Sequence, residues 1–170
     1  MTENSKDTKK DTQKSETKTT ANEPRKILVN AQYTKDLSFE NPNAPQNFSE
    51  LKEPPKIDVS VDIEVKKIQD SAFEVTLLTN VKASANDKSL FLIELAYSGV
   101  FTVEVPDNER EPVLMVYCPN LLFPYSRRII SDITRDAGFP PLMLDPIDFA
   151  NLYHQHKISK KDQKTAGAID

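Results

Sequence analysis

The alternation of apolar and polar residues predicts a β-sheet in the middle of the chain. From residue 57 to residue 65 every second residue is apolar and the residues between are polar, which is typical of a strand with one face in water. The runs 73–81 and 90–105 are also strand-like, and Gly99 is expected to mark a bulge or bend in the second of them. Short turns between the three runs predict an antiparallel meander, which a strand at 26–33 is a candidate to join.

Beyond residue 112 the apolar spacing lengthens to three or four residues, which predicts a helix over 113–136. Pro119 and Pro124 are expected to kink this helix or to delay its start, and Gly138 is expected to end it. Apolar residues fall on more than one of its faces, whereas a helix at a protein surface needs a single apolar stripe. We therefore expect one stripe to pack on the sheet and the other on a second subunit.

A last short helix is predicted near the end of the folded part. Asp145 is its expected N-cap and Pro146 its first residue, because proline lacks only an N–H that has no partner there. The apolar residues of this helix are Ile147, Phe149, Leu152 and Tyr153. Strands followed by helices indicate an α+β fold.

Composition divides the chain into three parts. Residues 1–24 contain no Leu, Ile, Val or aromatic residue, so they are expected to form a disordered charged tail. Residues 25–157 are the predicted domain, and residues 158–170 are a second, flexible tail. The N-terminus lacks the apolar stretch of a signal peptide, and no run approaches the ~18 apolar residues of a membrane span. A cytoplasmic protein is expected, without direct membrane insertion.

Charge and residue usage argue against several classes of function. The formal net charge is -4, which speaks against nucleic acid as the main partner because phosphates need clustered Lys and Arg. The chain has 3 glycines and lacks the glycine motifs that hold phosphate groups. Its single cysteine, Cys118, excludes both an internal disulfide and a metal site built on several cysteines.

Candidate catalytic residues are few. His154 and His156 lie two residues apart, so on a helix they point to different sides and do not form a metal-binding pair. Cys118 needs a histidine beside it to act as a nucleophile, and its place on an apolar stripe favours a buried role. Glu94 lies among apolar strand residues, so that sheet face is either a contact site or is covered by a loop of the protein. An enzyme that uses Cys118 or a carboxylate pair, and a purely structural oligomer, remain alternatives to a binding protein.

Four segments, in this order, resemble the SecB family of bacterial protein-export chaperones. They are YTKDLSFENPNAP at 33–45, FLIE at 91–94, YCPNLLFPYSR at 117–127 and FPPLMLDPIDF at 139–149. The resemblance extends over roughly residues 27–156. It implies a four-stranded antiparallel sheet with a long helix and a short C-terminal helix packed on one face.

The resemblance also implies a function. SecB-like proteins need no cofactor or metal and are not enzymes; they hold unfolded precursor proteins and deliver them to the SecA motor of the Sec export pathway. They are homotetramers, dimers of dimers, with the long helix packed between the dimers. The residues assigned to this tetramer interface are Val116, Cys118, Phe123, Tyr125 and Ile130.

Two further surfaces follow from the same resemblance. The positions that match the SecA-docking pattern are Asp36, Glu40, Leu92 and Glu94. The chain departs from the family pattern because it lacks a Trp in the loop after the first motif, so Leu51 or a neighbour is expected to take its place. The residues assigned to client binding are Phe48, Leu51, Ile57, Val59, Val61, Phe149, Leu152 and Tyr153.

Overall fold

The computed structural model describes residues 25–50, 54–86 and 88–166. Its first half is one antiparallel sheet of four strands in the order β1-β4-β3-β2. The strands are β1 (Lys26–Glu40), β2 (Lys56–Lys67), β3 (Ala72–Ala85) and β4 (Lys88–Glu104). The predicted meander is therefore confirmed, and the candidate strand at 26–33 does join it, beside β4.

Strand β1 continues to Glu40, past the predicted end at residue 33. Its register against β4 shifts between Val29 and Ala31 and again between Thr34 and Asp36. Each shift adds a residue to one strand and interrupts the alternation of side chains between the two faces. For this reason a period of two does not reveal the second half of the strand.

Gly99 does not mark a bulge, contrary to the expectation from the sequence. It pairs in regular register with Gln32 on one side and Val75 on the other. A Cβ atom on Gly99 would lie 2.9 Å from Cδ2 of Leu122 on the long helix and 2.7 Å from the ring of Phe101. A side chain at this position would therefore overlap both the Phe101 ring of the same strand and Leu122 of the helix that packs on the sheet.

The long helix begins earlier than predicted and is not uniform. It consists of α2 (Asp107–Pro112), one π-helical turn (Val113–Tyr117) and α3 (Cys118–Asp136). Pro119 has no N–H to donate to the carbonyl of Met115 four residues earlier, so the regular ladder is interrupted where the π-turn lies. The extra residue in the wide turn rotates the side chains before Cys118 relative to those that follow.

Gly138 ends the helix as predicted, with a φ of 88°. Its N–H donates to the Arg135 carbonyl at 3.0 Å, and the N–H of Phe139 donates to the Thr134 carbonyl at 3.1 Å. These two bonds form a Schellman motif, which needs a left-handed residue that glycine adopts without strain. The chain then returns along α3, where the Leu142 N–H donates to the Thr134 hydroxyl at 2.9 Å.

The last helix, α4, spans Phe149–Ala166, so the predicted start at Asp145 is wrong. Asp148 is positioned as its cap, because its carboxylate accepts from the Asn151 N–H at 2.9 Å. The predicted domain boundary at residue 157 falls inside α4. The flexible tail at 158–170 stays a prediction, and the tail at 1–24 lies outside the described residues.

All described helices that pack on the sheet lie on one face, which confirms the α+β architecture. The covered face carries the odd-numbered residues of β3 and β4, and α3 packs there through its fully buried side chains. One polar link crosses this core, a 3.2 Å hydrogen bond between the hydroxyls of Thr79 and Ser126. The other sheet face carries the even-numbered residues of both strands and is not covered by any described helix.

Candidate binding surfaces

An apolar groove runs beside the outer strand β2 and encloses about 340 Å³. We call it the edge groove; it is lined by Val59, Val61, Leu144, Asp145, Pro146, Ile147 and Leu152. Three elements form it: β2, the return segment before α4, and the first turn of α4. In the described part of the chain β2 pairs only with β3, so its outer edge offers unpaired backbone groups beside the groove.

The edge groove brings together three of the residues that the resemblance assigned to clients. Val59 is 45% exposed, and Val61 and Leu152 are half-buried. Ile57 lies on the same face of β2, two residues before Val59, and is also half-buried. Sequence reasoning missed Leu144 and Ile147, although both lie in the apolar, proline-rich motif at 139–149 that was quoted for the family.

Two client assignments on α4 need correction. Phe149 is 1% exposed and packs edge-on against Phe123, with ring centroids 6.0 Å apart. Tyr153 is also buried. Both side chains anchor α4 to its own protomer, so they offer almost no surface to a second polypeptide. Leu51 lies outside the described residues.

Phe48 belongs to a different surface and does not line the edge groove. It lies on the short helix α1 (Gln46–Glu50), and its ring is 47% exposed. It contacts Phe139 at a centroid distance of 5.3 Å, and Phe139 contacts Phe91 at 4.9 Å. Phe48 is thus the exposed end of an aromatic row that continues into the core, where Phe39 stacks on Phe91 at 5.9 Å.

The four residues that match the SecA-docking pattern lie together on the uncovered sheet face. Glu40 pairs with Leu92, Asp36 pairs with Ala96, and Glu94 pairs with Ser38. Paired residues of antiparallel strands point to the same face, and positions 92, 94 and 96 share a face because side chains alternate. We call Asp36, Glu40, Leu92 and Glu94 the acidic patch.

The acidic patch is open to solvent. Its three carboxylates are exposed and Leu92 is half-buried, and no described segment of the chain covers them. A shallow depression adjoins the patch on the side of β2, lined by Asp58, Asn80 and Lys82 as well as by Leu92 and Glu94. No loop in the described part of the chain covers Glu94, and its role in a contact site stays a prediction.

A further acidic residue of this face, Glu74, forms hydrogen bonds with its neighbours. It accepts hydrogen bonds from the Tyr33 hydroxyl and, at 3.0 Å, from the Lys35 ammonium. The bond from Tyr33, followed by that from Lys35, lowers the pKa of the Glu74 carboxyl, and the same contact raises the pKa of Tyr33. Glu74 therefore differs from the acidic patch, whose carboxylates lie free of such a network in the described structure.

Some of the residues on the long helix that were assigned to the tetramer interface are buried within their own chain. Cys118 and Ile130 are fully buried, and Phe123 is buried and packs against Phe149 of its own chain, so they have little or no surface for a partner. Burial also raises the pKa of the Cys118 thiol to about 12, which keeps the nucleophilic thiolate scarce at neutral pH. Val116 is half-buried and Tyr125 is 47% exposed, so these two face outward.

The outward apolar stripe therefore lies elsewhere on the helix. Tyr117, Leu121, Tyr125 and Ile129 follow one another at intervals of four and are exposed or half-buried. We call them the helix stripe. The sequence contained this spacing, but the π-turn shifts the rows before and after Cys118 relative to each other, which a uniform period of 3.6 does not show.

Among the residues described, no group of His, Cys, Asp and Glu is arranged to hold a metal ion. None of the described helices is long and apolar enough to cross a membrane. His154 is exposed on α4, whereas Cys118 is fully buried.

Comparison with known proteins decides the family. The family model described as preprotein translocase subunit SecB matches residues 20–160. The chain belongs to the SecB family. A protein-export protein SecB of Parvibaculum lavamentivorans is 49% identical over 145 residues, which cover 85% of this chain and 86% of the relative. The corresponding protein of Nitrobacter hamburgensis is 50% identical over 131 residues, covering 76% and 82%.

A solved structure shares the SecB fold. It is a SecB-like chaperone of Mycobacterium tuberculosis in complex with a peptide from an antitoxin, with a TM-score of 0.59 at 17% identity. The match covers 71% of this chain and 90% of that one. Membership of the SecB family makes this chain a protein-export chaperone and not an enzyme, so the alternative based on catalysis by Cys118 is wrong.

Proposed function

We propose that this SecB protein acts in the cytoplasm, binds unfolded precursor proteins in the edge groove and hands them to the SecA motor through the acidic patch. The single observation that carries the proposal is the edge groove, where exposed apolar side chains adjoin an unpaired strand edge. A folded protein keeps its apolar residues inside, so such a groove selects chains that still expose them.

The chemistry of the groove suits many different clients. Apolar contact contributes about 25 cal/mol per Å² of buried apolar surface and does not depend on an exact partner. The outer edge of β2 can add hydrogen bonds to an extended main chain, which every unfolded protein offers. Among the described residues that line the groove, only Asp145 is charged, so side-chain charge is not its main basis of recognition.

Assembly of several copies of the protein increases the total affinity for a client beyond that of one groove. We propose that the helix stripe packs against a second dimer, so that four copies present four edge grooves to one long client. Each groove then raises the effective concentration for the next, and the avidity exceeds that of a single groove by orders of magnitude. Because the chaperone binds the unfolded state, it opposes client folding by mass action until SecA competes.

Val59→Lys tests the groove, with Ser60→Lys as the matched control on the opposite face of the same strand. The readouts are aggregation and refolding of a slow-folding precursor, and the affinity for a labelled unfolded chain. Val59→Lys is expected to weaken holding because it places an ammonium group in the apolar groove, while Ser60→Lys leaves it unchanged. Equal holding by the two variants would exclude the edge groove as the client site.

A further inference from the structure

A lysine lies beside the acidic patch on the uncovered sheet face. Lys82 on β3 is paired with Leu92 of the patch on β4, and on its other side with Asp58 on β2. Paired residues of antiparallel strands point to the same face, so Lys82 shares the face of the patch. Its side chain is exposed and lines the shallow depression that adjoins the patch, which encloses about 210 Å³. The acidic patch therefore has a positive charge at its border.

The charge of Lys82 is not neutralised by its cross-strand neighbour. Opposite charges on directly paired residues attract each other, so Asp58 is the natural partner of Lys82. The Asp58 carboxylate instead forms a salt bridge with Lys56, at 3.1 Å. Within the part of the chain that the structure describes, the Lys82 ammonium forms no ion pair or hydrogen bond. Its charge therefore acts on the surroundings of the depression.

Two carboxylates of the acidic patch are close enough to be affected by this charge. Lys82, Leu92 and Glu40 form one row across β3, β4 and β1, and neighbouring strands are about 4.8 Å apart, so Glu40 lies about 10 Å from Lys82. Glu94 is a diagonal neighbour of Lys82, at a typical separation of about 7–8 Å. Neither separation exceeds the Debye length of about 10 Å at 0.1 M salt. Lys82 therefore makes the potential at Glu40 and Glu94 less negative.

This position matters for the choice of partner. An open group of carboxylates attracts any lysine-rich segment, because attraction between surface charges requires no fixed geometry. Unfolded clients contain such segments, and these compete with a docking partner for the acidic patch. Specific interfaces combine groups that attract the correct partner with groups that repel others. Lys82 is a repelling group for any cation that enters the depression.

We propose that Lys82 is a specificity residue of the acidic patch. It repels lysine-rich segments that bind through charge alone, and it admits a partner that places no cation over the depression. This inference rests on the proposed function, because it takes the acidic patch as the docking surface for SecA. It adds to that surface a residue whose role is to exclude other cationic chains.

The test compares two lysine variants that change the net charge equally. Lys82→Gln removes the charge beside the patch. The control Lys67→Gln removes a charge at the end of β2, about 30 Å along the strand from Asp58 and well beyond the Debye length. A fluorescently labelled oligolysine peptide and SecA are each titrated into the wild type and both variants, at about 0.05 M and about 0.5 M salt. Glu94→Gln shows whether the oligolysine binds at the acidic patch.

At low salt Lys82→Gln is expected to bind oligolysine about twofold to fivefold more tightly than the wild type, and this gain should disappear at high salt. Its affinity for SecA should rise less than its affinity for oligolysine, or fall. Lys67→Gln should bind both ligands as the wild type does, and Glu94→Gln should bind oligolysine more weakly.

Three results overturn the inference: wild-type affinity of Lys82→Gln for oligolysine, an equal gain in Lys67→Gln, or a gain for SecA as large as that for oligolysine. Oligolysine binding that Glu94→Gln does not weaken also overturns it, because the peptide then binds elsewhere. All four leave the proposed function intact. A wild type that does not bind SecA contradicts the proposed function itself, whereas the oligolysine titration still measures the repulsion by Lys82.

Discussion

The Tyr33 hydroxyl on β1 donates a hydrogen bond to the Glu74 carboxylate on β3, and the bond spans the whole width of β4. Ser98, the β4 residue paired with Tyr33, is fully buried although it faces the uncovered side of the sheet. Its hydroxyl lies 2.8 Å from that of Thr76 on β3, which is also buried. Polar side chains therefore occupy the middle of a sheet face that no described helix covers, and the acidic patch is a separate, exposed region of that face.

Tyr33→Phe is expected to lower the free energy of unfolding at neutral pH by about 1 kcal/mol, through loss of this bond. The pKa of Glu74 is lowered in the folded protein, so its contribution is present above the ordinary carboxyl pKa and is lost as the pH falls through the lowered value. Urea unfolding at neutral and acid pH measures the difference. The difference in the free energy of unfolding between the wild type and Tyr33→Phe should become smaller in acid. The control Tyr117→Phe, on the helix stripe, should show no such pH dependence.

Gly99→Ala is expected to destabilise the protein by about 1–3 kcal/mol, because the added methyl group overlaps the ring of Phe101 and the side chain of Leu122. Denaturant unfolding measures the loss. The double variant with Leu122→Ala removes one of the two overlapping side chains and leaves the Phe101 ring, so part of the strain is relieved and the two changes should be less than additive. Wild-type stability of Gly99→Ala, or strict additivity with Leu122→Ala, would contradict the close approach of α3 to the sheet.

Glu94→Lys is expected to abolish SecA binding and to leave client holding intact, because it reverses one charge in the acidic patch while the edge groove lies on the other face. Titration with SecA at several salt concentrations measures the affinity and its electrostatic part. Glu64→Lys is the matched control, an acidic residue on the same face but on β2. If Glu94→Lys binds SecA as tightly as the wild type, the docking site has been misplaced.

Tyr125→Lys is expected to split the tetramer into dimers, since it places a charge in the helix stripe that is proposed to pack between them. Analytical ultracentrifugation at micromolar concentration measures the mass. Ile68→Lys, an exposed apolar residue in the turn after β2, is the control and should remain tetrameric. A tetramer in Tyr125→Lys would show that the stripe is not the interface.

Many residues of the edge groove and the acidic patch could be predicted from the sequence, because they belong to local patterns and motifs. The alternation at 57–65 placed Val59 and Val61 on one face of a strand, and the motifs at 33–45 and 91–94 contained the acids of the patch. The motif at 139–149 also held Leu144 and Ile147. Their place beside β2 could not be recognised, because it depends on the bond between Leu142 and Thr134 that returns the chain along α3.

By itself, the sequence determined the strands, the helical segments and the family, because periodicity and motifs are properties of neighbouring residues. It did not determine which apolar residues are buried. Cys118, Phe123, Ile130, Phe149 and Tyr153 were assigned to binding surfaces through the family resemblance, and all lie in the core of their own chain. Only the packing of α3 and α4 on the sheet, the π-turn before Pro119 and the start of α4 after Asp148 decided this. Burial depends on contacts between residues far apart in the chain, and a local pattern contains no information about them.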